Sequence, residues 1–302
     1  LGKALRVTSF LQYLPSQAPV GDVAEPASPA MVTAEPTPEM SETERELVKR
    51  LRTGRAALPV LPQVAEAALR LANDPDARIH DLAELVDTDP PIAARFMSVA
   101  NSVAYWRGLL TSSTQSAIVR LGLANTRDLL FQVVYAASAG GLKRYQIQVQ
   151  KSFKRSVVAA VAARTAAREL GIETEYDYMS GLLHDIGESR IFRILDGLPN
   201  RVSDNKLVNE LVQRYHTAAG AEVAMAWKLP TEIVDACAAH HDPQAASVPH
   251  VRLVMIADAV VEALEAGRSA NLERFEDLLV DVGVARRIIE LTKGAATISV
   301  RP

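Results

Sequence analysis

Apolar residues recur with a helical period along most of the chain. Ser41 followed by Glu44 forms a capping-box pattern that opens the first strongly periodic segment. Pro62 suits the first turn of a helix through Leu71, with Val64, Ala68 and Leu71 on one stripe. Ile79, Leu82, Leu85 and Val86 make a second stripe. Asp89-Pro90 reads as an N-cap and a helix-starting proline, and Ile92, Phe96 and Val99 carry that helix to about Ser102. Ser113 caps a short helix that Gly122 stops, and a further helix over 124–139 ends at Gly140-Gly141. A longer one runs over 149–170, with Phe153, Val157, Val161 and Leu170 near one face and Gly171 as its stop. Shorter helices are predicted around 175–186, 204–214, 217–228, 231–241, 249–266, 273–280 and 284–293. No segment alternates in the manner of a half-buried strand, so the fold predicted is all-α.

Between Pro15 and Pro38 the pattern breaks down. Pro15, Pro19, Pro26, Pro29, Pro36 and Pro38 alternate with small and polar residues, which is the composition of a linker. An ordered coil lying against the domain is the other reading of the same stretch. The division expected is an N-terminal segment and linker over 1–40, a first helical part over 41–145 and a second over 146–302. A further domain is expected to precede Leu1.

Composition narrows the function. With 302 residues, 48 % of them hydrophobic, the chain can bury a substantial core, and only 5 % are aromatic, which favours helices over strands. A formal net charge of -3 argues against a basic nucleic-acid footprint. The single cysteine, Cys237, excludes an intramolecular disulfide framework and points to a reducing, cytoplasmic setting. No apolar run reaches the roughly 18 residues of a membrane-spanning helix.

Groups able to bind a cation gather in the second half. Five of the six histidines (His184, His216, His240, His241 and His250, but not His80) follow residue 180. His184-Asp185 sits within Gly181-Leu-Leu-His-Asp-Ile-Gly187, read as an apolar helix stopped by glycine. Imidazole beside carboxylate suits a divalent cation, although a helix C-terminus also attracts histidine. His240-His241-Asp242-Pro243 ends another helix, and either dipole complementation or a pocket accounts for it. Asp258 lies in the apolar run VRLVMIADAVVEAL, where a buried carboxylate needs a cation or an arginine, unless it shares a solvent stripe with Arg252 and Glu262. His216 is placed just before a short helix. Cys237 reads as a buried, inert thiol. There is no phosphate-binding glycine loop, nucleophile elbow or CxxC pair.

Taken in order, His184-Asp185, His216, Trp227-Lys228-Leu229-Pro230, His240-His241 and Asp258 resemble the HD superfamily of metal-dependent phosphohydrolases. Leu58-Pro59-Val60-Leu61-Pro62, Asp87-Thr88-Asp89-Pro90, Asn101-Ser102 and the run from Ala117 to Gly122 are similar to the HDOD domain, a regulatory branch of that superfamily. The resemblance covers about Leu58 to Leu264. It implies a multi-helix HDOD bundle with an HD-like C-terminal part. It also implies His184, Asp185 and Asp258 as ligands of a mononuclear metal site. His216 and one of His240 and His241 correspond to positions that hold a second metal in the phosphodiesterase branch. The histidine that begins the catalytic pattern falls on Arg155, and the Gly-Tyr-Pro motif that follows His-His in that branch is absent.

Arginine has no lone pair to donate and keeps its charge, so Arg155 in the pocket is expected to pair with Asp185 or Asp258 in place of an ion. The pocket expected is therefore Arg155, His184, Asp185, His216, His240, His241 and Asp258. The first functional reading is a non-catalytic bacterial signal-transduction module, with no cofactor, acting through other signalling proteins after an upstream sensor or receiver domain. Nucleic acid and membranes are not among its expected partners. The alternative is a metal-dependent phosphohydrolase acting on a nucleotide or cyclic dinucleotide through a divalent ion. A third possibility is a nucleotide bound without hydrolysis, with Lys151, Lys154 and Arg155 as phosphate contacts.

Overall fold

A computed structural model describes residues 40–53, 78–138, 141–199, 204–267 and 272–299. The Pro-rich segment, the motif at 58–62 and the helix expected at 62–71 lie outside them. Every regular element among the described residues is helical. They are α1 (Glu42–Thr53), α2 (Ile79–Asp87), α3 (Pro90–Ala100), α4 (Thr114–Leu121), α5 (Leu123–Ser138), α6 (Gln146–Leu170), α7 (Asp177–Leu183), α8 (Ile186–Asp196), α9 (Asn205–Ala226), α10 (Thr231–Ala239), α11 (Pro249–Ala266), α12 (Glu273–Asp277) and α13 (Val282–Ser299). Short 3-10 turns occupy Val103–Tyr105 and Pro243–Ser247.

The caps read from sequence are in place. The Asp89 side chain accepts from the Ile92 N–H at 3.2 Å, and Ser113 accepts from Ser116 at 3.2 Å. Gly171 takes the left-handed conformation that ends α6. The Ser41 box closes on one side only. Its Oγ accepts from the Glu44 N–H at 3.1 Å, while the buried Glu44 carboxylate turns to α9 and accepts from Arg214 at 2.5 Å and from the Tyr215 hydroxyl at 2.8 Å.

One small core is built by α2 to α5 around Leu82, Val86, Phe96, Ile118 and Leu130. The larger cores surround α6, whose alanines Ala159, Ala162, Ala163 and Ala166 meet α11 and the apolar side of α12 and α13. Helix α5 joins the two parts, with Leu129 and Leu130 in the small core and Phe131 and Tyr135 packed with α6 and α7. Arg164 of α6 secures that junction, reaching Asp128 of α5 at 2.5 Å and Asp177 of α7 at 3.2 Å. Although it precedes the small core in sequence, α1 packs with α8 and α9 through Leu47, Val48 and Leu51. The fully buried Arg190 of α8 ties its C-terminal end by donating to the Leu51 carbonyl at 3.2 Å.

The structure corrects four elements. Helix 175–186 ends at Leu183, and an unexpected helix, α8, begins at Ile186. The pair 204–214 and 217–228 is one helix, α9, so His216 lies inside it rather than before it. The helix expected at 273–280 stops at Asp277, and the last helix runs on to Ser299. The first correction has a clear cause: Gly187, read as a stop, meets Gly220 where α8 and α9 touch. A Cβ at Gly187 would lie 1.9 Å from the His216 carbonyl oxygen, and one at Gly220 would lie 3.3 Å from the Gly187 nitrogen. Glycine here serves close backbone approach, not termination.

Gly187→Ala is therefore expected to cost about 3 kcal/mol of unfolding free energy, the upper end for overpacking. Gly294→Ala, in α13 with nothing within 4 Å of the added carbon, is expected to add up to about 1 kcal/mol through helix propensity. Urea unfolding of the two variants checks both signs.

Candidate functional site

The α7–α8 break puts His184 and Asp185 at a junction rather than inside a helix. His184 caps α7 and Asp185 precedes α8. His216 projects from mid-α9 and His240 from the C-terminal end of α10. Each of these three imidazoles engages a backbone carbonyl through Nδ1: His184 with Gly181 at 2.8 Å, His216 with Val212 at 3.0 Å and His240 with Ala236 at 2.9 Å. With Nδ1 donating, Nε2 of each ring turns inward, which is how outer hydrogen bonds orient metal-binding histidines.

Asp185 is where they meet. Its Oδ2 lies 3.2 Å from His184 Nε2, and its Oδ1 lies 3.3 Å from His240 Nε2 and 3.5 Å from His216 Nε2. His216 and His240 approach each other at 3.3 Å through Nε2. The exposed His241 stacks beside them, its ring centroid 4.2 Å from that of His240. Asp185, His216, His240 and His241 can each offer a ligand atom, all within 4.8 Å of one another. Three imidazoles and a carboxylate fit a divalent cation such as zinc or manganese.

Charge is divided accordingly. Burial opposes a charge on His184, but the adjacent Asp185 outweighs it and raises the His184 pKa to about 9. Burial also works against the Asp185 carboxylate, yet His184 and then His240 hold it well below the ordinary carboxylate range. Burial lowers the pKa of His216, and burial together with His240 lowers that of His241 to about 4. Those two rings are neutral near pH 7 and keep a lone pair.

Asp258, on α11, belongs to a different arrangement. It accepts from Arg274 Nη2 at 3.2 Å, and Arg155 Nη2 lies 3.7 Å away. Arg155 makes its closer contact, at 2.8 Å, with Glu265, and Arg274 also binds Glu262. The expectation for Arg155 thus needs correcting in detail. It reaches Asp258 but not as a bidentate partner, its ion pairs are with Asp258 and Glu265 rather than Asp185, and its side chain is 32 % exposed. The mononuclear set implied by the resemblance, His184, Asp185 and Asp258, shares only Asp185 with the four-residue cluster.

A cavity of about 350 Å³ opens beside the cluster, with Asp185, His216, His241, Asp258, Arg155 and Lys151 in its wall. Lys154 is not among its lining residues. Two participants escaped the sequence reading. Glu188, in the first turn of α8, lines the cavity, and burial followed by Asp185 raises its pKa to about 7. Its spacing from Asp185 would have shown it, had Gly187 not been read as a stop. No pattern in the sequence marked Arg274. Of the remaining histidines, His80 pairs with Glu84 on exposed α2 and His250 with Asp235, both away from the cavity lining. Cys237 is buried and donates to the Leu183 carbonyl at 3.3 Å.

An all-helical bundle with histidines and one aspartate converging from three helix ends and a helix interior is an HD-type centre. The HDOD domain profile matches residues 58–243, and the chain belongs to the HDOD domain family. Among curated proteins it is similar to Ribonuclease Y of Thermus thermophilus, 33 % identical over 126 residues, covering 42 % of this chain and 19 % of the relative. Ribonuclease Y of Lactobacillus gasseri is 27 % identical over 220 residues, 72 % of this chain and 34 % of the relative. The chain thus spans about a fifth to a third of these relatives' length. Among solved structures, a Shewanella amazonensis protein provisionally described as a metal-dependent phosphohydrolase superposes with a TM-score of 0.65 at 22 % identity, over 83 % of this chain and 100 % of that one. An HDOD domain protein of unknown function from Geobacter sulfurreducens gives 0.59 at 24 % identity, over 85 % and 96 %. No helix among the described residues is long and apolar enough to cross a membrane.

Zinc titration by calorimetry is expected to show one site per chain. Removing an imidazole with His216→Ala or His240→Ala should weaken it at least tenfold, the scale seen even for outer-shell losses. His250→Ala should leave it unchanged.

Proposed function

We propose that this HDOD chain is a regulatory signal-transduction module that works through protein contacts and does not hydrolyse phosphate esters. The observation that supports this reading is the state of Asp258. A late carboxylate is part of the ligand set in the catalytic pattern that the sequence resembles. Here it is nearly buried and held by Arg274 and Arg155. Two guanidinium groups beside a carboxylate withdraw it from metal binding and raise the local positive charge that a second cation would meet. The partners in this reading are other signalling proteins, including an upstream sensor or receiver domain, in a cytoplasmic setting. The cavity wall, with Lys151 and Arg155 on one side, also suits a bound nucleotide phosphate.

A cation, where bound, would be held by Asp185, His216, His240 and His241, and would supply Lewis acidity and an activated water. That chemistry is the basis of the second reading, a metal-dependent phosphohydrolase acting on a nucleotide or cyclic dinucleotide. Its support is the four-residue cluster beside a cavity large enough for part of a nucleotide, together with the likeness to proteins named Ribonuclease Y. The residues of this chain would then hold the ion, orient a phosphate through Lys151 and Arg155, and place Glu188 at the cavity wall to exchange a proton.

Steady-state assays on the full chain with manganese or zinc, using a cyclic dinucleotide and a simple aryl phosphodiester, separate the two. The regulatory reading predicts no turnover with either metal, whether or not a cation binds. Turnover that disappears in His240→Ala would establish the hydrolase.

Asp258 also yields a stability prediction. Arg155→Met and Arg274→Met are each expected to cost about 1 kcal/mol, because both arginines are about one-third exposed and each leaves the other in place. The double variant, which strands a buried carboxylate, should lose about 3 kcal/mol, more than the sum of the two. Thermal unfolding of the three variants measures the excess.

A further inference from the structure

The segment between α3 and α4 departs from the usual surface. Over residues 102–113 the sequence is SVAYWRGLLTSS, with Arg107 its single charge. Val103 is 89 % exposed, Trp106 50 %, Leu109 76 % and Leu110 72 %. On the adjoining turn, Val119 and Leu123 are exposed as well. Scattered surface leucines are ordinary, but six large apolar side chains on one loop and the helix end behind it are not.

Nor is the loop a loose excursion. Asn101 and Thr111 hold its two ends together through a reciprocal pair, the Thr111 N–H donating to Asn101 Oδ1 at 2.8 Å and Asn101 Nδ2 donating to the Thr111 carbonyl at 3.0 Å. Arg120 of α4 spans the base, donating to the Ala100 carbonyl at 3.1 Å, to Asn101 Oδ1 at 3.2 Å and to the Leu109 carbonyl at 2.8 Å. The Thr111 N–H and the carbonyls of Leu109 and Thr111 are thus satisfied within the chain. Tying the base of the loop lowers the conformational entropy that binding would have to remove.

We infer that this loop is a self-association surface, and that its occupant is the same loop of a second copy of the chain, related by a two-fold axis. The area fits. The six side chains expose roughly 700 Å², above the largest patch of an ordinary monomer and near the roughly 800 Å² that one partner contributes to a standard interface. The charge pattern fits as well. A partner recognised by its charge would have a single arginine to read, whereas an apolar patch facing its own copy is self-complementary without any further requirement. Trp106, half-exposed at the centre of the sequence run, is the residue type that anchors such contacts. The surface lies on the small core of α2 to α5 and shares no residue with the cavity wall. The inference is therefore independent of whether the HD centre is catalytic.

Sedimentation equilibrium of the full chain, from about 1 to about 500 µM, tests it. The expected result is a reversible monomer–dimer equilibrium. Leu109→Asp combined with Leu110→Asp should raise its dissociation constant at least tenfold while circular dichroism and melting temperature stay unchanged. Val103→Lys, on the other arm of the loop, should weaken it in the same direction. A chain that stays monomeric over the whole range overturns the proposal and leaves the patch to another segment of this chain or to a different protein. A dimer that neither variant weakens overturns it too, since the contact would then lie on another face.

Discussion

A carboxylate enclosed by imidazoles has to be balanced by positive charge, and Asp185 imposes that condition on the rest of this fold. Unpaired in so dry a site it would take up a proton. Here His184 carries the balancing charge at Oδ2, and His216 and His240 bring Nε2 to within 3.5 Å of Oδ1. The supporting architecture is what brings those groups together. The chain breaks between α7 and α8 at the dyad itself. Three Nδ1–H groups are spent on carbonyls of their own helices. Two glycines let α8 and α9 approach closely enough for His216 to reach the dyad.

The second carboxylate has the opposite solution. Asp258 sits a short way along the same cavity and is neutralised by arginine rather than by imidazole. The two carboxylates of the cavity are thus neutralised by different means. One is competent to bind a cation, and the other is closed by fixed positive charge that no pH change removes. That division is the observation on which the proposed regulatory reading rests. The same bundle holds α1 to the two helices that carry Glu188 and His216, through Arg190 of α8 on the Leu51 carbonyl and Tyr215 of α9 on Glu44.

Much of this was legible in sequence, and the limits have identifiable causes. Helix stripes and caps such as Asp89 and Ser113 are local, so they survived folding unchanged. The convergence of His184, Asp185, His216 and the His240-His241 pair was visible because histidines are scarce and the motif order is distinctive. Glycine misled, because a residue chosen for contact with a distant backbone looks the same as one chosen to end a helix. This cost α8 and the role of Glu188. Arg274 and Glu265 were invisible for a different reason. They act through tertiary pairing with Asp258 and Arg155, and charged residues on amphipathic helices are the commonest kind. Arg155 was expected to pair with Asp185 or Asp258; it lies near Asp258, and its exposure and closer tie to Glu265 depend on side-chain reach that spacing does not encode.

The central claim is that cation binding has passed to Asp185 and the histidines while Asp258 is withdrawn from it. Zinc-edge anomalous diffraction from crystals of the zinc-loaded chain tests this most directly. The account predicts a single peak bounded by Asp185, His216, His240 and His241, with Asp258 still bound to Arg274. A peak between His184 and Asp258 with Arg274 displaced, or no peak at saturating zinc, would contradict it.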